Sequence, residues 1–534
     1  MICFLIGVHM LFTSASFIIF IFITLTFYYI FKTKQQLVLL LASVIFYCFS
    51  GPKYIIYILV STLTTYFCAY FISDIYTALE NSSALPSAEL KQQKEQAKKK
   101  ALRILRLDLL IVLGILVVLK YFNFFSKSVF DMLGIFHIEK DPVFLNLVMP
   151  LGLSYFTFMN IGYILDVYWK KIPAEKEFLK FSLFTLYFPH VVQGPISRYG
   201  QLAPQFLEKK KFDYDKVCSG LQLALWGFFK KMVIADRLGI FVSQVYDHYQ
   251  NYYGVIFIVA TVLYSIQIYA DFSGCMDIIC GVSETFGITL EKNFNHPYFS
   301  RTIPEFWRRW HITLGTWFKD YVFYPVSRTK LCKDFNKWTR KRFGNQVSRT
   351  WSSVIPLLCV WLLTGLWHGA AWKYVAWGLF HGGLIIGGTI FAKQLSRITA
   401  ALHIRTEQFS WHLFQILRTF TLCCIGRVFF RAGGGQVALD IFRRTFSDFQ
   451  PWVLFDGSLY TYGLDRPNFI LAMITIVLLF AIDALQERFR LRQAFARQNI
   501  VFRWIILYAA IFSVLIFGIY GPGYDASQFI YNNF

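Results

Sequence analysis

His368 lies within the stretch LTGLWHGAAWKYVAWGLFHG, Leu363 to Gly382, and no Lys, Arg, Asp or Glu occurs between Trp351 and Trp372. An ionisable ring in such a run is costly and usually faces a polar cavity or a partner. Trp361, Trp367 and Trp372 supply bulk around it, while Gly365, Gly369, Ala370 and Ala371 permit close helix approach or a break. That composition suits a pocket wall, and it equally suits a neutral His bonded to a neighbouring helix. If the ring works, the chemistry must suit a base with a pKa near about 6.5 in a poorly hydrated site without a metal. Acyl transfer from a thioester fits, because the thioester is already electrophilic and the alcohol needs only its proton removed. Proton relay in a transporter fits as well, although transporters usually place acids in their spans. The nearest acids of that kind are Asp271 and Asp277, in the broken segment ADFSGCMDIICG.

A second histidine sits in a different setting. In IPEFWRRWHITLGTWFKDYVFY, helical spacing gathers Ile303, Phe306, Trp307, Trp310, Leu314, Trp317, Phe318 and Tyr321 into one stripe. Arg308, Arg309, Gly315, Thr316 and Lys319 fall opposite, so one helix lying in the membrane interface is expected. His311 falls at the edge of the stripe, where it could face protein or headgroups. His381, in GLFHGG, is expected to be structural, and so are the seven histidines near the ends of apolar runs or in loops, His190 among them.

These residues need a membrane scaffold. The 534 residues are 56% hydrophobic and only 16% charged, which excludes an ordinary soluble domain. Apolar runs such as Phe17 to Phe31, Tyr54 to Ile72, Leu109 to Leu119, Gly254 to Ala270, Phe469 to Ile482 and Ile505 to Tyr520 approach the roughly 20 residues that cross hydrocarbon. Shorter or interrupted runs at Gln36 to Phe49, Val143 to Tyr168, Leu183 to Val192, Ser353 to Trp372, Tyr374 to Phe391 and Leu413 to Phe430 extend the expectation to about ten to twelve membrane elements, some of them re-entrant. MICFLIGVHMLF lacks a basic leader region and cleavage site, so it reads as the start of the first span.

The net charge of +22 is concentrated in connecting segments and reads as topology rather than nucleic-acid binding. Between Arg301 and Arg349, twelve Lys or Arg face three acids, which places that region on the cytosolic side. The segment Ser73 to Asp108 and the arginines from Arg488 to Arg503 are assigned to the same side, and Ser447 to Asp465, with acids and no Lys or Arg, to the outside. The ten cysteines include no C-x-x-C pair and read as buried small hydrophobes. No H-E-x-x-H, Walker or G-x-S-x-G motif occurs, and GPGYDA follows a span, so metal, nucleotide and serine-hydrolase chemistry are not expected. One domain over residues 1–534 is the simplest parse.

Seven longer stretches, in order, resemble the membrane-bound O-acyltransferase (MBOAT) family, in particular its bacterial alginate O-acetylases and teichoic-acid D-alanyl transferases. They are PLGLSYFTFMNIGYILDVY, YFPHVVQGPISRYGQLAPQF, WGFFKKMVIADRL, QIYADFSGCMDIICGVSETFGITLEKNFNHPY, SRTIPEFWRRWHITLGTWFKDYVFYPV, LLTGLWHGAAWKYVAWGLFHG and VFFRA. They run from about Pro150 to Ala432, and the terminal FIYNNF resembles that branch's ending. The resemblance implies an all-α polytopic bundle with interfacial and re-entrant helices around a central tunnel. It implies an acyl thioester entering from the cytosol, either acetyl-CoA or a carrier-bound acyl group, and an acceptor reached from outside. His368 would be the catalytic base and His311 a second active-site residue. Trp367, Trp310, Asp271, Arg308 and Arg309 match motif positions as candidate substrate contacts, and Asn293 and Glu305 match without a role. No bound cofactor or metal is implied.

The expected reaction is O-acetylation of an exported or cell-wall polysaccharide at the bacterial cytoplasmic membrane, with an extracytoplasmic SGNH or esterase-like accessory protein as a candidate partner. The alternatives are D-alanyl transfer from a carrier protein and, more distantly, a transporter or flippase. Two departures stand out: YPVSRTKLCKDFN replaces a Gly pair after the interfacial segment, and Gly426-Arg427 precedes VFFRA where an aromatic is frequent.

Overall fold

The computed structural model describes residues 10–49, 51–81, 87–137 and 141–520. The opening MICFLIGVH, GPGYDA and FIYNNF therefore lie outside the described residues. The fold is all-α, and among the described residues the only extended pairing is an isolated antiparallel bridge between Phe294 and Trp310. Seven helical stretches among them are long and apolar enough to cross a membrane, eight if the bent pair Trp372–Ile390 and Ala392–Ala401 counts as one span. Ala15–Ile30 and Gln35–Phe49 are shorter apolar helices.

The chain forms two compact units. The first comprises residues 1–221 and 279–291, and the second residues 222–278 and 292–534. In the first, helices Ile55–Asn81, Ser87–Leu116 and Leu153–Tyr168 pack together around a polar seam in which Asn160 donates to Ser61 Oγ at 2.8 Å. The run expected from Val143 becomes helical only at Leu153, after a turn at Gly152. The Leu183 to Val192 run divides at Tyr187 into Phe178–Leu186 and Phe188–Val191, because Pro189 cannot continue the preceding helix. His190 is structural, as expected: its ring nitrogens bond Ser197 Oγ at 3.1 Å and the Phe184 carbonyl at 3.0 Å.

The second unit holds every candidate site residue. Its labelled elements are α1 (Val255–Thr285, which runs beyond the unit), α2 (Ile303–Arg309), α3 (Ile312–Phe318), α4 (Lys330–Trp351), α5 (Val354–His368), α6 (Trp372–Ile390) and α7 (Phe409–Arg431). A span over Tyr214–Asp247 has no counterpart among the expected elements. Its apolar pattern is interrupted by Lys230, Lys231, Asp236 and Arg237, yet all but Asp236 count among the buried residues. Lys231 Nζ lies 2.5 Å from Asp271 and 2.7 Å from Asp236, and Lys230 Nζ lies 2.7 Å from Asp277. Pairing of this kind is what makes buried charge tolerable in hydrocarbon.

Helices α5 and α6 approach through glycine. A Cβ added at Gly365 would lie 2.5 Å from the Tyr374 carbonyl oxygen, and one at Gly378 would lie 2.4 Å from that of Trp361. Small residues permit such backbone approach in membranes, where lipid offers no hydrophobic drive for helices to associate. Gly378→Val is therefore expected to cost about 1–3 kcal/mol through overpacking. Gly383→Ala, whose added carbon meets nothing within 4 Å, should not destabilise and, inside a helix, should stabilise slightly. Thermal unfolding of the two variants in detergent checks this, and equal melting temperatures would remove the close approach as the organising contact.

Candidate functional site

The single interfacial helix expected from Ile303 onward is two short helices. Thr302 caps α2 by accepting from the Glu305 amide at 3.2 Å, and Pro304 occupies the first turn. The helix stops at Arg309, Trp310 is extended, and His311 takes a left-handed conformation with φ 48° before α3 begins. Pairing with a sequence-distant segment imposes the break. Asn295 N–H donates to the Arg309 carbonyl at 2.9 Å, and Ile312 N–H donates to the Asn293 carbonyl at 3.0 Å. The Asn293 side chain then accepts from the amide and hydroxyl of Thr313 at 3.0 and 2.7 Å. The stripe survives on both halves: Ile303, Phe306, Trp310, Leu314, Trp317, Phe318 and Tyr321 are buried, and Arg308, Gly315, Thr316 and Lys319 are exposed.

The helical wheel leaves His311 at an edge, and the break turns it inward to 2% exposure. Its ring packs on Phe272 of α1 at 4.8 Å and on Trp367 at 5.3 Å. Neither ring nitrogen has a hydrogen-bond partner in another described residue. Both α2 and α3 are too short to span. Burial pushes the His311 pKa down from its ordinary value to about 3, so the ring is neutral and offers one N–H donor and one acceptor nitrogen.

His368 is the last residue of α5, and the chain leaves the helix at Gly369. It is 3% exposed, with Trp367 at 4.9 Å, Trp377 at 4.8 Å and Phe430 at 5.4 Å, ring centre to ring centre. Trp367 is thus the ring that both imidazoles touch. His381 packs against Trp307 at 5.0 Å and Trp377 at 5.2 Å, one indole further along the same cluster.

The other expected positions separate into three settings. Trp310 is buried and lies under the Arg427 guanidinium, 4.5 Å from its ring centre. Asp271 Oδ1 pairs with Lys231, while its buried Oδ2 has no hydrogen-bond partner among the described residues. Arg309 pairs with Glu305 at 3.0 Å and with Glu487, whereas Arg308 is exposed. Sequence reasoning misses Trp377 and Phe430, which frame His368, and Lys231, which holds Asp271. Arg427 stands out in the sequence only as a departure from the family pattern, and it is 3% exposed one turn before the end of α7. An arginine in an apolar helix is its available signal. The described residues contain no cluster of three or more His, Cys, Asp or Glu that could hold a metal.

This is a multi-pass, all-α membrane protein with three enclosed imidazoles, His311, His368 and His381, on a shared aromatic wall. Residues 170–337 match the profile of the MBOAT, membrane-bound O-acyltransferase family. The chain is 32% identical over 394 residues to the probable alginate O-acetylase AlgI of Pseudomonas aeruginosa, covering 74% of this chain and 68% of that one. It is 29% identical over 437 residues to the peptidoglycan O-acetyltransferase of Helicobacter pylori, covering 76% and 73%. It is 30% identical over 243 residues to the teichoic acid D-alanyltransferase of Bacillus subtilis, covering 43% and 56%. The chain belongs to the membrane-bound O-acyltransferase family and is an acyltransferase.

The buried state of His311 has a measurable consequence. Its folded pKa lies below the unfolded value near 6.5, so the unfolded chain binds the proton more readily. Its contribution to stability is complete above about pH 6.5 and is lost as pH falls from there toward about 3, by up to about 1.4 kcal/mol per pH unit. His311→Gln should therefore flatten the acid side of the stability profile relative to wild type. Parallel profiles from thermal unfolding between pH 7 and about pH 4.5 would contradict the neutral, desolvated ring.

Proposed function

We propose that this protein is an O-acetyltransferase that moves an acetyl group from a cytosolic thioester across a bacterial cytoplasmic membrane to hydroxyls of an exported or cell-wall polysaccharide. The observation that carries this reading is the pair of enclosed imidazoles, His311 and His368, meeting on Trp367. In the proposed step a ring nitrogen of His368 takes the proton of the acceptor hydroxyl as its oxygen attacks the thioester carbonyl. His311, neutral, donates its N–H toward the carbonyl oxygen, where negative charge develops. The C–S bond then breaks, the thiolate leaves with the proton held by His368, and an ester remains.

Trp367 and Trp310 would wall the acyl path. Asp271 would act through Lys231, which holds one of its two carboxylate oxygens. Arg308, exposed, and the basic cluster Arg340 to Arg342 would draw an anionic donor such as coenzyme A or an acidic carrier to the cytosolic mouth. Arg309, held by Glu305 and Glu487, is better placed to fix α2 than to meet the donor.

Acetyl is preferred because the longer alignments are to relatives named O-acetylase or O-acetyltransferase. D-alanyl transfer from a carrier protein is the second reading, supported by the shorter alignment to a D-alanyltransferase. In the first reading, an extracytoplasmic esterase-like protein is the candidate partner for delivery to the polysaccharide.

His368→Ala is expected to retain insertion and thermal stability while lowering polysaccharide acylation by roughly 10²- to 10⁴-fold, the range for loss of a general base. Measured as base-labile groups released from envelope polymers, undiminished acylation would sink the role of His368. The released acid separates the two readings: acetate supports the first and D-alanine the second.

A further inference from the structure

Helix α4 is folded back on itself. Gly344, with φ 82° and ψ 173°, breaks it after Phe343, a conformation that favours glycine. The two arms are tied by hydroxyls: Thr339 Oγ donates to Ser348 Oγ at 3.2 Å, and Ser348 Oγ donates to the Asn336 carbonyl at 2.9 Å. Thr339 is fully buried and Ser348 is 6% exposed, so the join is a packed one. Lys393 Nζ bonds Gln346 Oε1 at 2.6 Å and anchors the second arm to the Ala392–Ala401 helix.

Between the arms lies a cavity of about 470 Å³ lined by Asn336, Arg340, Asn345, Ser348, Arg349 and Ser352. Every lining residue is polar. Two guanidiniums from opposite arms face one space, and among the described residues neither has a carboxylate within 4.0 Å. The surroundings reinforce the sign of the field: α4 carries Lys330, Lys333, Lys337, Arg340, Lys341, Arg342 and Arg349 against Asp334 alone. Solvated basic loops do not require such an arrangement. A topology signal needs positive charge, but it needs neither a glycine-broken hairpin nor hydroxyls and carboxamides gathered between two arginines.

We propose that this hairpin is a phosphate-binding site, in which Arg340 and Arg349 grip the phosphoryl oxygens from two sides while the Asn345 carboxamide completes the hydrogen bonding. Guanidinium suits the geometry because its planar donors match phosphate oxygens in pairs. Two sources share this chemistry. One is the headgroup of an anionic bilayer lipid, and the exposed Trp338 and Phe343, with rings 5.8 Å apart beside the turn, suit a segment resting at the headgroup level. The other is the phosphate end of the acyl donor, a source that rests on the function proposed above.

The test uses the full chain in phosphatidylcholine nanodiscs, titrated calorimetrically with free coenzyme A and, separately, with short-chain phosphatidylglycerol. Arg340→Gln/Arg349→Gln should weaken binding of the true ligand by at least about tenfold, since two charge-assisted contacts are lost. The charge-matched Lys330→Gln/Lys333→Gln, outside the cavity, should bind as wild type. Loss confined to coenzyme A assigns the pocket to the donor, and loss confined to phosphatidylglycerol assigns it to the lipid. Neither result depends on His368, whose role is read separately from acylation. Equal weakening in both double variants would reduce the site to diffuse positive charge and overturn the proposal, as would undiminished binding of both probes in Arg340→Gln/Arg349→Gln. If the double variant melts early, Arg349→Gln alone carries the same comparison.

Discussion

Two backbone hydrogen bonds, Asn295 to Arg309 and Ile312 to Asn293, decide where His311 points. Without them, the residues from Ile303 to Phe323 would satisfy their amides as one amphipathic helix and leave the imidazole at its rim. With them, the helix ends at Arg309, and the Asn293 side chain takes up the Thr313 amide that the break exposes. Every backbone group at membrane depth must be satisfied within the protein, so a break there needs a partner segment. The 293–295 segment is that partner. Its consequence is steric as well as directional: Phe294 packs edge-on against Trp310 at 5.0 Å, and Phe272 against the His311 ring at 4.8 Å.

The second constraint is the disposal of charge. The Lys231 ammonium pairs with two carboxylates and so allows the Tyr214–Asp247 stretch to enter the apolar core. Removing Lys231 would leave Asp271 as a buried carboxylate stripped of its ion pair, which is far costlier than the pair is favourable. The same reasoning sets Arg427 apart. Its guanidinium lies over Trp310 and within 5.8 Å of the Phe430 ring, where the indole face offers it electrostatic stabilisation. Trp310 thus supports a cation on one side while its chain neighbour faces Trp367.

How much of this was legible in the sequence follows from the range of each interaction. Spans such as Arg466–Gln486 and Ile500–Phe517 were legible because apolarity over about 20 residues is a one-dimensional property. His368 was legible for the complementary reason, as a titratable ring where the surrounding run forbids one. The span over Tyr214–Asp247 was not, because its charges look prohibitive until Asp271 and Asp277, some forty residues away in sequence, are brought alongside. The break at Trp310 and His311 was hidden by periodicity itself. Both short helices keep the apolar stripe in phase, so the pattern continues through a point where the backbone does not. Trp377 and Phe430 escaped notice because an aromatic residue in an aromatic-rich chain carries no local mark of what it will touch.

The two histidines reach similar burial by different means, and the difference bears on how they divide the chemistry. His368 ends a long helix whose close contact with α6 at Gly365 and Gly378 leaves its backbone little freedom. That rigidity suits a group that must meet an attacking oxygen at a fixed distance, since misplacement of a base by even about 1 Å is expensive. His311 stands at a junction of two short helices, desolvated and neutral, with ring nitrogens that no other described residue occupies. A ring so easily deprived of its proton is a weak base and a competent neutral donor, which is why the proposed mechanism gives the acceptor's proton to His368 and the carbonyl to His311. The asymmetry arises from the scaffold: one imidazole is held by helix packing, the other by the strand-like segment that interrupts a helix.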